Sequence, residues 1–235
     1  MVHLVARVVA LYRYPVKSMA GCAVDAVDVS WNGLDGDRRH AFVREHQERN
    51  GFPWLTLRER SDMNRYRPSF AEPHRPNESA VQVQTPSGRV IDVTDPELAA
   101  ELGDVRVIKQ NRGVFDTMPL SLITTQTIAS LAARVGASLD VQRFRPNLVA
   151  EATSDAPFPE DEWVGRVLRV GRARMRVDKR DQRCVIVNID PATGARDAEI
   201  LRAIARERAS YLGVYGTTVE PGRVAVGDEI AFEED

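Results

Sequence analysis

The stretch Ala23-Val-Asp-Ala-Val-Asp-Val-Ser-Trp31 alternates apolar with polar residues, which is typical of a β-strand with one buried face. Upstream, the Val- and Leu-rich stretch His3-Leu-Val-Ala-Arg-Val-Val-Ala-Leu-Tyr12 predicts a first strand. Short segments of similar character recur along the chain. We predict further strands at residues 39–44, 80–84, 89–93, 104–109, 147–150, 167–170, 173–178, 184–189, 223–226 and 229–232.

Three other segments carry a capping residue at the start of an apolar pattern with helical spacing. We predict helices over about 95–103 with Asp95 as N-cap, over about 125–136 with Thr124 or Thr125 as N-cap, and over about 197–208 with Asp197 as N-cap. Strands outnumber helices and do not alternate with them, which argues against a doubly wound α/β sheet. The sequence therefore predicts a mainly β fold with a few helices, built as a closed or nearly closed barrel that leaves few exposed strand edges.

The composition is that of an ordinary globular protein. The 235 residues are 43% hydrophobic and 28% charged, with a formal net charge of −2, so disorder is excluded and a large core is available. No apolar run approaches the roughly 20 residues of a membrane helix. His3 and Arg7 interrupt the N-terminal apolar pattern that a secretory signal would need. We expect a cytoplasmic protein without membrane contact, in which Cys22 and Cys184 are free thiols.

The sequence contains none of the motifs G-x-S-x-G, Walker A, H-E-x-x-H or C-x-x-C, and this excludes the commonest hydrolase, nucleotide-binding and zinc classes. The histidines also lack the spacing of zinc ligands. They are His3, His40, His46 and His74.

Basic residues are distributed unevenly. Three of the 32 are lysines, so a retained lysine suggests a site that needs a compact ammonium group, and this points to Lys17. Residues 166–183 contain seven arginines and one lysine against two aspartates. A solvated strand face, a phosphate-bearing ligand and nucleic acid remain open as explanations, in that order. Nucleic acid comes last because the pI is near 6.1 and no aromatic-plus-basic RNA motif is present.

Cys184 lies between this basic segment and an apolar run. It is either a small core residue, as free cysteines often are, or a thiolate favoured by the cations of Lys179, Arg180 and Arg183 and able to act as nucleophile or metal ligand. The segment Arg143-Phe-Arg-Pro-Asn147 is either a surface loop or a donor set of two guanidiniums and an amide for a polar ligand.

Five motifs, taken in order, resemble the MOSC family, which is named after the C-terminal part of molybdenum cofactor sulfurase. They are Tyr14-Pro-Val-Lys-Ser18, Gly36-Asp-Arg38, Phe144-Arg-Pro-Asn147, Arg183-Cys184 and Asp190-Pro-Ala-Thr-Gly194. The resemblance covers nearly the whole chain and implies the β-barrel-type MOSC fold, of class α+β. It implies an N-terminal MOSC β-barrel-like region over 1–112 and a MOSC domain over 113–235, packed as one unit with a cofactor between them.

The resemblance also implies molybdenum, or tungsten, bound by the dithiolene of a pterin and by one protein cysteine, Cys184. A soft thiolate is a ligand that such a metal takes readily, so the chemistry agrees. The remaining cofactor contacts implied are Lys17, Ser18, Arg38, Thr124, Thr125, Arg145, Asn147, Arg183 and Tyr215.

Members of the family include the amidoxime-reducing components, which reduce N-hydroxylated compounds and related N- or S-oxides. The resemblance therefore implies a molybdenum-cofactor oxidoreductase that acts on a small-molecule substrate. With only two cysteines, the sequence lacks a four-cysteine iron–sulfur set, so electrons are expected from a separate ferredoxin-, flavin- or cytochrome-type reductase. Two alternatives stay open: a non-catalytic carrier of the cofactor or of sulfur on Cys184, and a metal-free sugar- or nucleotide-binding barrel.

Overall fold

The computed structural model describes residues 3–44, 52–103 and 105–233. In that part of the chain the strands are β1 His3–Arg13, β2 Cys22–Val24, β3 Ala26–Ser30, β4 Gly33–Leu34, β5 His40–Val43, β6 Arg67–Phe70, β7 Val81–Gln84, β8 Val90–Asp92, β9 Arg106–Lys109, β10 Leu120–Thr124, β11 Leu148–Ala152, β12 Val167–Val170, β13 Ala173–Gln182, β14 Tyr211–Glu220, β15 Gly222–Ala225 and β16 Glu229–Phe232. The α-helices are α1 Pro96–Glu101, α2 Thr125–Val135 and α3 Ala198–Arg208.

Seven strands form a closed barrel in the order β1-β11-β10-β14-β13-β12-β16. The barrel closes because β1 pairs with β11 on one side and with β16 on the other. Only the β10–β11 pair is parallel within the barrel. Aliphatic side chains from every strand fill the interior, among them Leu11, Leu122, Leu168 and Val214. Each fully buried leucine contributes about 2 kcal/mol through the hydrophobic effect. The predicted mainly β fold with few helices is confirmed.

Strands from the start of the chain pair with strands from its end. In the barrel, β1 lies between β11 and β16, and in a separate sheet, β15-β3-β4, β3 pairs with β15 along Gly222–Ala225. N- and C-terminal segments are thus paired in both sheets. The division at residues 112 and 113 stays a prediction.

A second apolar core lies beside the barrel, within the first half of the sequence. It is built by the sheet β6-β7-β8, the pair β5-β9 and helix α1, around side chains such as Phe42, Met63 and Tyr66. Asp95 caps α1 by accepting a hydrogen bond from Glu97 N at 2.8 Å. Ile189 from the second half of the sequence also packs into this core.

Helices α2 and α3 form a third cluster with residues of β10, β11 and β14. Thr124 caps α2, and Gly136 ends it in the left-handed conformation with φ 67°. Asp197 caps α3. All three predicted helices are confirmed to within a few residues at each end.

Residues 184–189 were predicted as a strand, and this prediction is wrong. Val185–Asn188 form a 3₁₀ turn, held by hydrogen bonds from Val187 N to Cys184 O at 3.1 Å and from Ile189 N to Ile186 O at 3.0 Å. A short apolar run fits a strand or a buried turn equally well. Here β14 is already paired on both sides, with β10 and β13, so it offers the run no free edge.

Other differences concern strand boundaries. Strand β13 continues to Gln182, and the predicted strand 23–31 is divided at Asp25 into β2 and β3. The sequence patterns missed β4, β6, β10 and β14, although β14 lies between β10 and β13 in the barrel. The predicted strand 104–109 is seen as β9 from Arg106; residue 104 lies outside the described residues.

Candidate functional site

A cavity of about 160 Å³ lies where several loops meet beside the barrel. The loops follow β1 and β13 and precede β5, β10 and β11. Eight of the ten predicted site residues line it: Lys17, Ser18, Arg38, Arg145, Asn147, Arg183, Cys184 and Tyr215.

The cavity is strongly cationic. Six basic side chains line it against two carboxylates, those of Asp116 and Asp181. The basic residues are Lys17, Arg38, Arg58, Arg143, Arg145 and Arg183. An excess of positive charge around a partly enclosed space favours an anionic ligand.

Backbone strain is concentrated at this cavity. Ser18, Arg38 and Arg145 have φ values of 68°, 50° and 52°, and they are three of the five non-glycine residues in the left-handed region within the described chain. Such conformations cost of order 1 kcal/mol each and persist where surrounding contacts enforce them. All three residues were named from the sequence motifs, and all three line the cavity.

Tyr14 is the common support of two cavity arginines. Its ring is fully buried, and the guanidinium carbons of Arg38 and Arg145 each lie 4.4 Å from its centre. The Tyr14 hydroxyl donates a hydrogen bond to Pro146 O at 3.1 Å. Burial raises the pKa of Tyr14, so the phenol stays neutral at physiological pH. Cation–π contact therefore fixes both guanidiniums without neutralising them.

Arg145 retains an unused hydrogen-bond donor. Its Nη1 donates to Met19 O at 2.7 Å, whereas its Nη2 is buried and has no hydrogen-bond partner. Burial, together with the nearby charge of Arg38, lowers the pKa of Arg145 to about 10. A buried donor without a partner costs about 1–3 kcal/mol, and a charged acceptor in the cavity would relieve that cost.

Arg38 is held by a buried polar network. Asp37 accepts from Arg38 Nη1, from Tyr14 N at 2.7 Å and from Asn147 Nδ2 at 3.2 Å. Asn147 Oδ1 accepts from Ser121 N and Oγ, both at 3.2 Å. Burial lowers the pKa of Arg38, but the carboxylate of Asp37 outweighs this and raises it overall. Much of the Asn147 amide is therefore committed to positioning its neighbours.

Lys17 is 5% exposed and forms an ion pair with Asp116. Its Nζ also donates to Val114 O at 3.0 Å. Burial lowers the pKa of Lys17 despite this pairing. Burial raises the pKa of Asp116, but the charges of Lys17 and Arg58 outweigh that effect, so the pKa is lowered and the carboxylate is ionised.

Cys184 is half-buried and faces a cation. Arg58 Nη2 lies 3.5 Å from its Sγ and also 3.3 Å from Asp116 Oδ2. A guanidinium beside the sulfur stabilises negative charge there, which thiolate chemistry needs. Its place in the cavity wall favours the reactive-thiol interpretation over that of a core residue.

Arg183 is anchored by backbone carbonyls. Its Nε donates to Leu212 O at 2.7 Å and its Nη1 to Phe144 O at 2.8 Å, and Nη1 pairs with Asp181 Oδ2 at 2.8 Å. Asp181 is 2% exposed, and burial raises its pKa to about 6 despite the charge of Arg183. Tyr215 on β14 faces this carboxylate, and burial together with Asp181 raises the pKa of the Tyr215 phenol.

Thr124 and Thr125 lie outside the cavity lining. The Thr124 side chain is fully buried, caps α2 and donates to Glu160 Oε2 at 2.7 Å. Thr125 Oγ1 donates to Gln126 Oε1 at 3.0 Å. Both hydroxyls are thus used at the start of the helix.

Arg58 and Asp116 line the cavity beside Cys184 and Lys17, although the sequence motifs include neither of them. No local pattern marks them, because they meet the motif residues only through tertiary contacts more than 50 residues apart. Asp181 was counted only as a counter-charge in the basic run.

Cys22 lies apart from the cavity lining, where its Sγ donates to Pro68 O at 2.8 Å. Burial raises the pKa of this thiol.

In the basic run of residues 166–183, Arg174, Arg176 and Arg180 form ion pairs with acidic side chains, which agrees with the solvated-face interpretation.

Within the described residues, no three His, Cys, Asp or Glu side chains come together as a metal site. His46 lies outside those residues. A metal at Cys184 would therefore need most of its ligands from a cofactor.

Among the described residues, no helix is long and apolar enough to cross a membrane.

A second, open groove of about 410 Å³ adjoins the cavity, and we call it the tryptophan groove. Trp31, Trp54, Phe115 and Thr117 are among the residues that line it, and the last two also line the cavity. A Cβ at Gly113 would lie 2.1 Å from Phe115 Cζ, so glycine is needed there for the ring to sit between the two spaces.

Comparison with family models gives a match to the MOSC domain over residues 109–231 and to the MOSC N-terminal beta barrel domain over residues 5–118. The chain belongs to the MOSC family. This confirms the resemblance drawn from the five motifs.

Several curated proteins are similar to this MOSC chain. Molybdenum cofactor sulfurase of Anopheles gambiae is 43% identical over 82 residues, which are 33% of this chain and 10% of that protein. Mitochondrial amidoxime-reducing component 1 of Homo sapiens is 25% identical over 148 residues, which are 57% of this chain and 43% of that protein. The matches thus span less than half the length of either relative.

Among solved structures, the YuaD protein of Bacillus subtilis is similar to this MOSC chain over 100% of both chains, with a TM-score of 0.56 and 14% sequence identity. At that identity, the similarity concerns the fold alone.

Proposed function

We propose that this MOSC chain binds the molybdenum cofactor in its cationic cavity, with Cys184 as the protein ligand of the metal. We further propose that it is an oxidoreductase that reduces N-hydroxylated or N-/S-oxide compounds with electrons from a separate reductase. One observation carries the proposal: a half-buried thiol, Cys184, and an arginine whose buried Nη2 has no hydrogen-bond partner, Arg145, line the same cavity.

The donor set fits the anionic part of the cofactor. A pterin phosphate needs charged donors, and Arg145 Nη2 is a donor without a partner. Lys17, Arg38 and Arg183 add positive charge from three other loops. The hydroxyl of Ser18 lies in the same wall, next to Lys17, and supplies a neutral donor.

The thiol side of the cavity fits the metal. Cys184 offers a soft ligand, and the guanidinium of Arg58 lies 3.5 Å from its sulfur. When bound, the cofactor supplies two-electron oxygen-atom chemistry, while the protein binds and orients it. Arg58 contacts both Cys184 and Asp116, and Asp116 pairs with Lys17, so these contacts fix the thiol relative to the lysine that would bind the cofactor. The tryptophan groove provides a route by which a small substrate reaches the cavity past Phe115.

The similarity to proteins named amidoxime-reducing component and molybdenum cofactor sulfurase supports a function associated with this cofactor. The first of these names supports a reductase. The second supports the alternative, a carrier that holds the cofactor or sulfur on Cys184 without turnover. Reduction of an N-hydroxylated compound with an artificial electron donor distinguishes the two, since a carrier gives none.

Metal and pterin content of the chain, purified from a host that makes the cofactor, tests the proposal. We expect about one metal and one pterin per wild-type chain and a strong loss of metal in Cys184→Ser. Cys22→Ser is the matched control, because this thiol lies outside the cavity lining, and it should keep both. Elemental analysis also identifies molybdenum or tungsten. A folded wild-type chain with neither metal nor pterin would favour the metal-free barrel and contradict the proposal.

A further inference from the structure

Two carboxylates line the cavity, and their surroundings differ sharply. Asp116 forms ion pairs with Lys17 and Arg58, which keep its pKa low. Asp181 is 2% exposed and has one ion pair, with Arg183, and burial raises its pKa to about 6. Two carboxyl groups with pKa values moved apart in one site are the usual arrangement of a fixed charge and an acid.

The groups facing Asp181 come from several elements. Arg183 follows the same strand, Tyr215 lies on the neighbouring β14, Arg38 precedes β5, and Asp116 precedes β10. The two arginines and the phenol of Tyr215 favour the ionised carboxylate, whereas Asp116 and, above all, burial favour the protonated form. The balance leaves a carboxyl group that holds a proton at mildly acidic pH.

We propose that Asp181 is the proton donor for reduction in this cavity. The inference rests on the proposed reductase function. Converting an N–OH group to N–H breaks the N–O bond, consumes two electrons and two protons, and releases one water. The electrons come from the separate reductase. Asp181 gives one proton to the leaving oxygen and is protonated again from water in the cavity, which also supplies the second proton.

Asp116 does not fill this role, because two cations hold it ionised. The Tyr215 phenol keeps its proton, since burial and the charge of Asp181 raise its pKa. Lys17 is tied to Asp116 and to Val114 O. Among the acidic side chains of the cavity wall, Asp181 alone combines burial with a proton that is released near neutrality.

The pH dependence follows from the sign of the shift. A donor must be protonated, so kcat of the holoenzyme should be highest below about pH 6 and fall as pH rises through that value. In Asp181→Asn we expect kcat at pH 5.5 to drop about 100-fold and to lose this fall, with cofactor content and KM near wild type. Asp181→Glu should recover part of the rate.

Asp178→Asn is the matched control. Asp178 lies on the same strand, pairs with Arg176 at 2.6 Å and lies outside the cavity lining. A second readout needs no turnover: difference infrared titration of the folded protein should show a protonated carboxyl band that disappears near pH 6. That band should be absent in Asp181→Asn and present in Asp178→Asn.

The outcomes separate this role from a structural one. An Asp181→Asn holoenzyme with wild-type kcat and pH profile, or one that has lost its cofactor, overturns the proton-donor role; so does a wild-type protein without the infrared band. A cofactor-loaded wild type that reduces no N-oxygenated compound overturns the proposed function, and this role with it. An active wild type with an unaffected variant overturns the role of Asp181 alone.

Discussion

Arg58 Nη2 lies 3.5 Å from Sγ of Cys184. The contact joins a segment of the first half of the sequence to the loop after β13, and the same nitrogen reaches Asp116 at 3.3 Å. The guanidinium thus contacts both the sulfur and the carboxylate, and a cation in contact with a sulfur favours negative charge on it. We therefore expect the reactivity of Cys184 to depend on a residue 126 positions away in the sequence.

Arg58→Gln should make the Cys184 thiol less reactive. Without the guanidinium the thiolate loses its nearest cation, so we expect alkylation by iodoacetamide at neutral pH to slow about threefold or more. Mass spectrometry in a Cys22→Ser background measures the rate. Arg60→Gln serves as the control, because Arg60 pairs with Asp62 and lies outside the cavity lining, and it should leave the rate unchanged.

Arg145→Gln should weaken binding of the anionic part of the cofactor. A lost charge-assisted hydrogen bond costs about 1.5–3 kcal/mol, so cofactor affinity should fall about tenfold or more. Inorganic phosphate should raise Tm of the cofactor-free wild type and raise that of the variant less. Arg134→Gln, at an exposed ion pair with Glu207, should behave as wild type. Equal protection of wild type and Arg145→Gln would contradict the anion site.

Gly213→Ala should destabilise the fold. Gly213 has φ 74°, and an added Cβ would lie 2.9 Å from Leu122 O and 3.1 Å from Arg183 Nη2. We expect the free energy of unfolding in urea to fall by about 3 kcal/mol from backbone strain and crowding together. Gly136→Ala is matched in φ, at 67°, but meets nothing within 4 Å, and should cost about 1 kcal/mol. Equal losses would show that crowding at Arg183 plays no part.

Burial of Asp181 should make stability depend on pH. Its folded-state pKa of about 6 exceeds the unfolded value of about 3.9, so the folded chain binds this proton more tightly. Its contribution to stability is complete below about pH 3.9 and is lost as pH rises through about 6. The difference in free energy of unfolding between Asp181→Asn and wild type should therefore shift in favour of the variant over that range. A constant difference would contradict the raised pKa.

Local signals predicted much of the fold. The alternation in β3 and the caps at Thr124, Asp95 and Asp197 act within a few residues, and the structure bears them out. Strand β14 escaped prediction because Gly213 and Gly216 weaken its strand signal, whereas pairing with β10 and β13 supplies its hydrogen bonds. The run after Cys184 has a strand-like composition, but β14 is already paired with β10 and β13 and offers it no free edge.

The site residues also fall into two groups, those within sequence motifs and those brought to the cavity by tertiary contacts. Lys17, Arg38 and Arg145 lie in motifs that the sequence displays, and all three line the cavity. Arg58 and Asp116 carry no such signal, because their role comes from contacts between distant segments. Thr124, implied as a cofactor contact, is placed by the fold at the start of α2, with its hydroxyl bound to Glu160.

The most direct test of the central claim is X-ray absorption at the metal edge of the purified holoenzyme, compared between wild type and Cys184→Ser. If Cys184 binds the metal, the reduced fraction of Cys184→Ser chains that still holds metal should show cofactor-derived sulfur ligands and one sulfur fewer than wild type, while Cys22→Ser matches wild type. A Cys184→Ser protein with bound metal and an unchanged sulfur count would contradict the assignment of Cys184 as the metal ligand.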